Sequence, residues 1–465
     1  MNAKISLNSV QGTKIMFIFF FCFFMLMHWI FNITEYPYDA NFYWSLGGEM
    51  WMHGGWRLKS LTTGFRGVVL PIYFSICAGI GNFLGGGQST IGFWLISSLT
   101  YAFMFSFVQK KILHIVFGTV HQKWENLICI VNAILSFVFF RGLFLYPLSD
   151  IYAFLLSLCS VVVLYKIKEN QGIKQFAWAF LLGMVLYSEY NIRTIYLFPA
   201  LAVMVLALYF IFKGNIRHLV WKTISVFAGI VGMALAALPQ IIVNQNLNRR
   251  FSLAVPTDNL MLDQLSWGMK WCRYDTYIGD PSEYYSPSMY YIDSIGSRIL
   301  ELEAGEKGFV SFGDYFFTLL KHPLDVIGIF FRHLINILYP IFPNQYVQRL
   351  DGEKAIYLII FYTILFIVCV NLLTGFKLSK DGMIAFGIVL VPCLFILPGA
   401  VEIRFFYPLY YLIFSLVLIG IRKLWERVRC DYWKFGILYL VGLGIYIAGC
   451  QYMLTSLLNA TVLLG

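Results

Sequence analysis

Charged residues are scarce in this chain of 465 residues, of which only 12% are Asp, Glu, Lys or Arg. Soluble domains carry about 25% charged residues, so this composition excludes an ordinary soluble globular fold. Hydrophobic residues make up 59% of the chain and aromatic residues 18%. The apolar residues form long unbroken runs, which favour membrane-spanning helices over the short alternating strands of a β-barrel. We therefore predict an all-α polytopic membrane protein.

Cysteine patterns that bind metals or build a disulfide framework are missing. The nine cysteines lie almost entirely in apolar runs, where cysteine usually serves as a small buried hydrophobe. Only Cys272 lies in the large hydrophilic segment, so no disulfide framework is available there. The chain also lacks a P-loop, a zinc motif and a nucleophile elbow. The sequence leaves the cofactor unknown, and no motif in it requires a divalent cation.

Eleven apolar runs are long enough to cross a bilayer as helices, which needs about 20 residues. Their first residues lie near Ile15, Ile91, Trp124, Asp150, Gln175, Ile195, Thr223, Ile356, Met383, Phe406 and Phe435. The first run, Ile15–Ile33, is followed by no small-residue cleavage site. We predict that it is an uncleaved signal anchor.

Lys and Arg residues cluster in particular loops, and cytoplasmic loops carry such an excess. In a soluble protein the net charge of +10 would suggest nucleic acid, but here it marks orientation and we expect no nucleic-acid partner. Consecutive basic loops need an even number of crossings between them. The runs 67–84 and 323–341 are therefore predicted to be interfacial or re-entrant helices. The predicted location is the plasma membrane, with a cytoplasmic N-terminus and an extracytoplasmic C-terminus.

The chain divides by composition into three predicted parts. Residues 1–243 form an N-terminal transmembrane module that includes a first outer loop, 34–66. Residues 244–322 form the only sizeable hydrophilic segment, rich in Tyr, Asp and Ser-Pro as at 284–287. We predict that this segment is a small extracytoplasmic cap, followed by a C-terminal transmembrane module at 323–465.

The first outer loop holds three acids beside a bilayer surface, where carboxylates are costly unless they have a function. Asp39 is a candidate general base or cation ligand. It is also a candidate helix N-cap, because it follows Pro37 and precedes a helix-compatible run. Glu35 is separated from Asp39 by Pro37, and Glu49 lies ten residues on, nearly perpendicular around a helix axis. These acids are therefore not a preset pair on one helix face.

Four arginines are predicted to face the same outer side, each beside a short turn between apolar runs. An arginine binds phosphate well because its planar fork contacts two oxygens at once. The alternatives are snorkelling to lipid phosphates and structural ion pairs, for which Arg404 has Glu402 and Arg193 has Glu189 nearby in sequence. Asp150 is a candidate member of the site or a cap of the helix that follows it, and the cap is favoured because an acid at a helix start suits the dipole. The four candidate phosphate ligands are Arg66, Arg141, Arg193 and Arg404.

Several short motifs follow one another in an order that resembles the GT-C membrane glycosyltransferases. They are Tyr38-Asp39-Ala40 with Tyr43-Trp44, Arg66-Gly67 with Pro71, Leu145-Tyr146-Pro147-Leu148-Ser149-Asp150, Asn191-Ile192-Arg193-Thr194 with Pro199, and Glu402-Ile403-Arg404-Phe405 with Pro408. The likeness covers best the region from residue 15 to residue 207. Many members of that family have two adjacent acids in the first outer loop, whereas here Asp39 is followed by Ala40.

This resemblance implies a GT-C-like fold, with which the predicted set of about 11 full spans, two interfacial or re-entrant helices and a small extracytoplasmic cap agrees. It implies transfer of a sugar from a polyprenyl-phosphate donor to a lipid, glycan or protein acceptor within a lipid membrane. The resemblance matches Asp39 to the catalytic acid and makes Glu35, Glu49 and the four arginines candidate substrate-binding residues. The alternative function is a polytopic transporter or lipid flippase of the cell envelope.

Overall fold

The computed structural model describes residues 2–52, 57–64, 66–85, 90–118, 122–213, 219–257, 259–277, 288–340, 346–347, 354–373, 378–419, 421–458 and 461–464. Its helices in the first half of the chain are α1 Asn2–Phe31, α2 Tyr38–Met52, α3 Val69–Gly85, α4 Ile91–Phe103, α5 Gln109–Phe117, α6 Gln122–Leu145, α7 Ser149–Glu169, α8 Ile173–Ile192, α9 Leu197–Phe212 and α10 Leu219–Asn248. A π-helical turn, Met104–Val108, joins α4 to α5.

The second half contains further helices and a small sheet. The helices are α11 Leu260–Lys270, α12 Ser294–Ala304, α13 Phe312–Lys321, α14 Pro323–Ile337, α15 Lys354–Leu373, α16 Lys380–Ile396, α17 Tyr407–Leu416, α18 Ile421–Cys430 and α19 Tyr432–Leu458. The strands are β1 Trp271–Tyr277, β2 Ser288–Ile292, β3 Tyr346–Val347 and β4 Thr461–Leu464, in the order β3-β1-β2-β4.

Eight of the described helices are long and apolar enough to cross a membrane, which confirms the prediction of a helical, multi-pass membrane protein. The candidate spans are Gln11–Phe31, Ile91–Phe117, Lys123–Leu145, Ser149–Glu169, Thr194–Phe212, Leu219–Asn248, Ile356–Leu373 and Tyr432–Tyr452. The runs predicted to begin near Gln175, Met383 and Phe406 correspond to α8, α16 and α17, which lie outside this set. α8 carries polar residues at both ends, and α16 and α17 are short, with 17 and 10 residues.

The two runs predicted not to cross form helices shorter than a full span. α3 has 17 residues and α14 has 15, against about 20 for a full span. α14 ends at Ile337, four residues before the end of its apolar run. Pro340 follows closely, and proline is common just after a helix end because it cannot continue the helix.

The predicted cap contributes β1 and β2 to the sheet, and β3 and β4 come from the predicted C-terminal module, so the fold is not purely α-helical. β1 and β2 are antiparallel, with Tyr274 opposite Tyr290. β2 pairs antiparallel with β4, and β1 pairs parallel with β3. Tyrosine favours strands because its flat ring packs well on a pleated surface. The 284–287 motif lies outside the described residues.

By contacts between Cα atoms the chain forms two compact units. Unit 1 comprises Met1–Ile130, Leu143–Pro256 and Leu378–Val391, and unit 2 comprises Val131–Gly142, Thr257–Lys377 and Pro392–Gly465. In unit 1, α8 packs along α7 and α10. A Cβ at Gly183 or Gly232 would overlap a backbone carbonyl of the facing helix, so the two helices α8 and α10 approach through small residues, as membrane helices often do.

Each unit has its own hydrophobic core. In unit 1, α2, α3 and α10 contribute to one apolar cluster, whose buried members are Leu46, Met50, Leu61, Val68 and Val243. This cluster packs α2 and the segment before α3 against α10. In unit 2, the buried cluster consists of Met269, Ile299, Leu300, Phe309, Tyr315, Val326 and Ile329. It holds α11 to α14 together.

Candidate functional site

Asp39 and Arg66, called here the loop pair, form an ion pair in unit 1. α2 starts at Tyr38 directly after Pro37, and the carbonyl of Pro37 accepts hydrogen bonds from the backbone of Ala40 and Asn41. Asp39 therefore lies in the first helical turn, where the helix dipole favours a carboxylate. Arg66 Nη1 lies 2.5 Å from Asp39 Oδ1. The two side chains are 34% and 30% exposed, Arg66 and Asp39 respectively.

Asp39 lies in the first turn of α2 and its carboxylate contacts Arg66, so the structure shows an ion pair, and the capping role given as an alternative stays a prediction. Tyr43, one turn further along α2, also interacts with this guanidinium. Burial lowers the pKa of Arg66, but the charge of Asp39 and the contact with Tyr43 raise it by more. Arg66 therefore stays charged.

Both partners of the loop pair are attached to unusual backbone. Tyr38 has φ +49° and Arg66 has φ +64°, and Gly67 follows with φ +81°. Only glycine adopts this left-handed region without cost, so the two non-glycine residues store conformational strain. Strained residues of this kind cluster at functional sites, where the surrounding structure holds them in place.

Asn191 holds the segment that carries Arg66. Its Oδ1 accepts hydrogen bonds at 2.9 Å from the backbone N–H groups of Val68 and Val69, at the start of α3. These groups would otherwise be orphan donors of the first helical turn. A Cβ on Gly67 would overlap the backbone carbonyl of Asn191. Position 67 therefore requires glycine for two reasons: its backbone lies against the Asn191 carbonyl, and its φ is positive.

The amide of Asn191 continues into a chain of buried amides, called here the amide chain. Asn191 Nδ2 donates to Gln240 Oε1 at 2.9 Å, and Gln240 Nε2 donates to Asn244 Oδ1 at 3.0 Å. Asn244 Nδ2 then donates to the carbonyls of Ser252 and Ala254. All three amide side chains are buried. A fully satisfied buried network fixes one geometry, because each broken bond would leave a polar group without water.

Arg193 lies two residues beyond Asn191 and forms a second ion pair, with Asp150. The prediction that Asp150 caps α7 is wrong. The N-cap residue is Leu148, which makes no side-chain capping bond, and Asp150 lies within the first turn. The sequence alternative that paired Arg193 with Glu189 is also not observed, since Arg193 contacts that residue through the backbone.

Glu35 and Glu49 lie apart from the contact between Asp39 and Arg66. Glu35 is exposed in the segment between α1 and α2. Glu49 is half-buried, and its carboxylate accepts a hydrogen bond from Thr62 at 3.3 Å. Ten residues of helix separate Glu49 from Asp39, a rise of about 15 Å. The expectation that the acids form no preset pair on one face of α2 agrees with these positions.

Arg141 and Arg404 belong to unit 2 and are described within it. Arg141 does not start a turn as predicted, because α6 continues to Leu145; the interruption is at Phe140, whose φ of −133° and ψ of 32° are not helical. Arg404 is buried in the 3-10 helix Ile403–Phe406. Its Nε lies 2.7 Å from Glu402 Oε2. The structural ion pair predicted as an alternative for Arg404 is therefore present.

A buried ion pair in unit 2 was missed by the sequence reasoning. Arg273 Nη2 donates to Asp275 Oδ1 at 2.9 Å, and Arg273 Nη1 donates to the carbonyls of Asn336 and Tyr339. Burial raises the pKa of Asp275, and Arg273 opposes that rise. The sequence signal that could have revealed this pair is the spacing of Arg273 and Asp275, because residues two apart on a strand lie on the same face of the sheet.

Among the residues that the structure describes, no group of three or more His, Cys, Asp or Glu side chains is placed to hold a metal ion. Searches for similar proteins do not identify the chain: no family model, curated protein or solved structure matches it.

Proposed function

We propose that this protein is an integral-membrane glycosyltransferase. It transfers a sugar from a polyprenyl-phosphate donor to a lipid, glycan or protein acceptor at the extracytoplasmic face of the plasma membrane. In this proposal the chain crosses the membrane about 11 times, with its N-terminus in the cytoplasm and its C-terminus outside. The proposal rests on the motif resemblance and on the geometry of the loop pair.

The observation that carries the proposal is the partly exposed contact between Asp39 and Arg66 on strained backbone. The donor phosphate competes with the Asp39 carboxylate for the Arg66 guanidinium, since phosphate and carboxylate use the same two-pronged contact. Binding of the donor therefore frees an ionised carboxylate beside the place where the phosphate binds. A resting ion pair of this kind holds the base in position until the substrate arrives.

The proposed reaction follows from these groups. Asp39 removes the proton from an acceptor hydroxyl, whose oxygen forms a bond to the anomeric carbon of the sugar. The bond between that carbon and the phosphate oxygen breaks, and the bonding electron pair leaves with the lipid phosphate. Arg66 stabilises the charge that develops on the phosphate. The leaving phosphate needs no proton, so one carboxylate suffices, unlike the two carboxylates of glycosidases.

Arg193 supports the same reaction through its position in unit 1. The amide chain fixes Asn191, which holds the Arg66 segment and lies two residues before Arg193. The two arginines are thus attached to one rigid local framework. Asp150 orients Arg193, which suits a group that binds the donor or its lipid phosphate.

The test is sugar transfer from a radiolabelled polyprenyl-phosphate hexose by the purified protein in nanodiscs. Wild type is compared with Asp39→Asn, which preserves shape but cannot accept a proton as a base. The matched control is Asp431→Asn, which changes a 54% exposed carboxylate in a surface pair with Lys434. We expect turnover by wild type and by the control, and a loss of at least about 100-fold in Asp39→Asn.

Two outcomes would argue against this proposal in different ways. Equal turnover by wild type and Asp39→Asn would keep the enzyme class and remove Asp39 as the base. No turnover by folded wild type with any of a panel of such donors would contradict the enzyme class.

One observation favours the alternative of a transporter or flippase. Glu189 is completely buried in α8. An ionisable residue buried among membrane helices is a common element of ion and proton pathways. Wild type and Glu189→Gln in proteoliposomes with a pH-sensitive dye distinguish the two functions. Proton movement that needs Glu189 supports transport.

A further inference from the structure

Two short helices of unit 2, α13 and α14, expose large apolar side chains. On α13 these side chains are 55–67% exposed and consist of Phe312, Phe316, Phe317 and Leu320. On α14 they are Leu324, Ile327, Phe331 and Leu334, of which Leu324 is 82% exposed. The α14 residues recur at spacings of three and four, which places them on one stripe of the helix. We call the eight residues together the apolar face.

The apolar face is distinct from the core of unit 2. The opposite side of each helix is already buried: Tyr315 of α13 and Val326 and Ile329 of α14 belong to the core cluster. Phe316 and Ile327 therefore point away from that cluster and are not needed to complete it. Contiguous exposed apolar surface of this kind marks an interaction site, because leaving it in water is costly.

Neither helix can span a bilayer. α13 has 10 residues and α14 has 15, which correspond to lengths of about 15 and 22 Å. The hydrocarbon core is about 30 Å thick. Amphipathic helices that are too short to cross lie in the interface instead, with their apolar sides about 5–10 Å below the boundary between headgroups and acyl chains.

The end of α14 lies at a membrane boundary defined by two candidate spans of the same unit. The hydroxyl of Tyr446 in α19 donates to the carbonyl of Leu338 at 2.7 Å. The next residue, Tyr339, packs against Leu358 and Cys450. Leu358 is the third residue of the span Ile356–Leu373, and Cys450 is the third from the end of the span Tyr432–Tyr452. One span begins and the other ends at this level, as expected where both meet the same bilayer surface.

We propose that α13 and α14 lie in this bilayer surface as a monotopic anchor and insert the apolar face among the acyl chains of the phospholipids. The occupant is lipid because the contacts of Leu338 and Tyr339 place the start of the acyl region beside α14. The charged groups fit this arrangement. Lys321, the last residue of α13, pairs with Glu303, and Arg332 of α14 pairs with Asp293, so these charges are turned toward polar partners of unit 2.

Spin-label accessibility in the full-length protein tests this proposal. Cysteines are introduced one at a time as Phe316→Cys and Phe331→Cys, in a parent in which the exposed Cys22, Cys369 and Cys430 are serine. The matched control is Lys307→Cys, at an exposed polar position in the turn before α13. Each protein is labelled with a nitroxide and reconstituted in phosphatidylglycerol–phosphatidylethanolamine nanodiscs. Collision rates are measured with oxygen, which enters acyl chains, and with a water-soluble nickel chelate.

We expect the ratio of oxygen to nickel collisions to be several-fold higher at positions 316 and 331 than at 307. High nickel accessibility at both test positions would overturn the proposal. Low accessibility to both reagents, with dipolar broadening between labels, would also overturn it, because a second copy would then cover the apolar face. Leu324→Cys provides a further label on the same face if one variant fails to fold, since its side chain is not part of the core.

Discussion

The loop pair, Asp39 and Arg66, and the buried pair, Arg273 and Asp275, use the same chemical groups in different surroundings. The atoms in contact lie 2.5 Å apart in the loop pair and 2.9 Å apart in the buried pair. The loop pair is about one-third exposed, whereas the buried pair is almost completely shielded from water. Water screens the first pair, so it contributes little stability. Water does not reach the buried pair, so it cannot replace a partner that is removed from that pair.

The partners around each pair reinforce this difference. Arg273 also donates to the carbonyls of Asn336 and Tyr339, so its donors are committed to the fold of unit 2. Tyr38 and Arg66 of the loop-pair segment have strained backbone. The comparison teaches that the loop pair keeps access to solvent, while the buried pair is committed to the fold of unit 2.

The largest expected effect comes from breaking the buried pair. Arg273→Met leaves the Asp275 carboxylate buried without its cation, and such losses cost about 3–5 kcal/mol. We expect the free energy of unfolding, from denaturant titration in nanodiscs, to fall by that amount. Replacing both residues, as Arg273→Met with Asp275→Leu, should recover most of the loss, because no uncompensated charge remains. Equal losses in the single and double variants would contradict a charge-based explanation.

The pH dependence of Arg273→Met has a defined sign. Burial raises the pKa of Asp275 above its usual 3.8, and removing Arg273 removes the interaction that opposes this rise. A raised folded-state pKa means that proton binding stabilises the fold below the unfolded-state pKa. This stability is lost as the pH rises through the folded-state pKa. The variant should therefore lie closer to wild type near pH 4 than at pH 8, in the same unfolding titration.

An intermediate effect is expected from the amide chain that holds the loop pair. Asn191→Leu removes the acceptor of the Val68 and Val69 N–H groups, and each buried donor left without a partner costs about 1–3 kcal/mol. We expect unfolding to become easier by about 2–4 kcal/mol and sugar transfer to fall with it. The control is Asn170→Ala, which removes one bond at a half-buried helix end. No difference between the two variants would show that Asn191 does not hold the segment.

The smallest expected effect on stability comes from the loop pair itself. Asp39→Asn should change the free energy of unfolding by no more than about 1 kcal/mol, because partly exposed ion pairs are screened by water. Activity and stability should therefore separate at this position. A stability loss as large as that of Arg273→Met would show that the loop pair, like the buried pair, mainly stabilises the fold. Unfolding titrations of both variants under the same conditions make the comparison.

Much of the membrane architecture could be predicted from the sequence. Eight of the predicted spans coincide with candidate spans, because a run of about 20 apolar residues is sufficient evidence of length and polarity. The run at 323–341, predicted from the positions of the basic loops not to cross, forms a helix of only 15 residues. The small sheet was not predicted, because β1 and β4 are separated by almost 200 residues and no local pattern shows their shared sheet.

The candidate site was predicted in composition and not in pairing. Asp39, Arg66, Arg193 and Asp150 were all identified as notable residues. The actual pairs join residues 27 and 43 positions apart, whereas local spacing suggested Glu189 for Arg193. Asn191 was named only within a motif, and its role needs the close approach of the Gly67 segment.

The sequence by itself determined that the chain is helical and suited to a membrane, because burial of apolar side chains in lipid depends on composition along each helix. It also determined which residues are chemically able to bind a phosphate or accept a proton. Only the tertiary structure decided which carboxylate meets which arginine and which of those contacts retains access to water. The strength of an ion pair depends on its surroundings in three dimensions, and those surroundings come from chain segments that are distant in sequence.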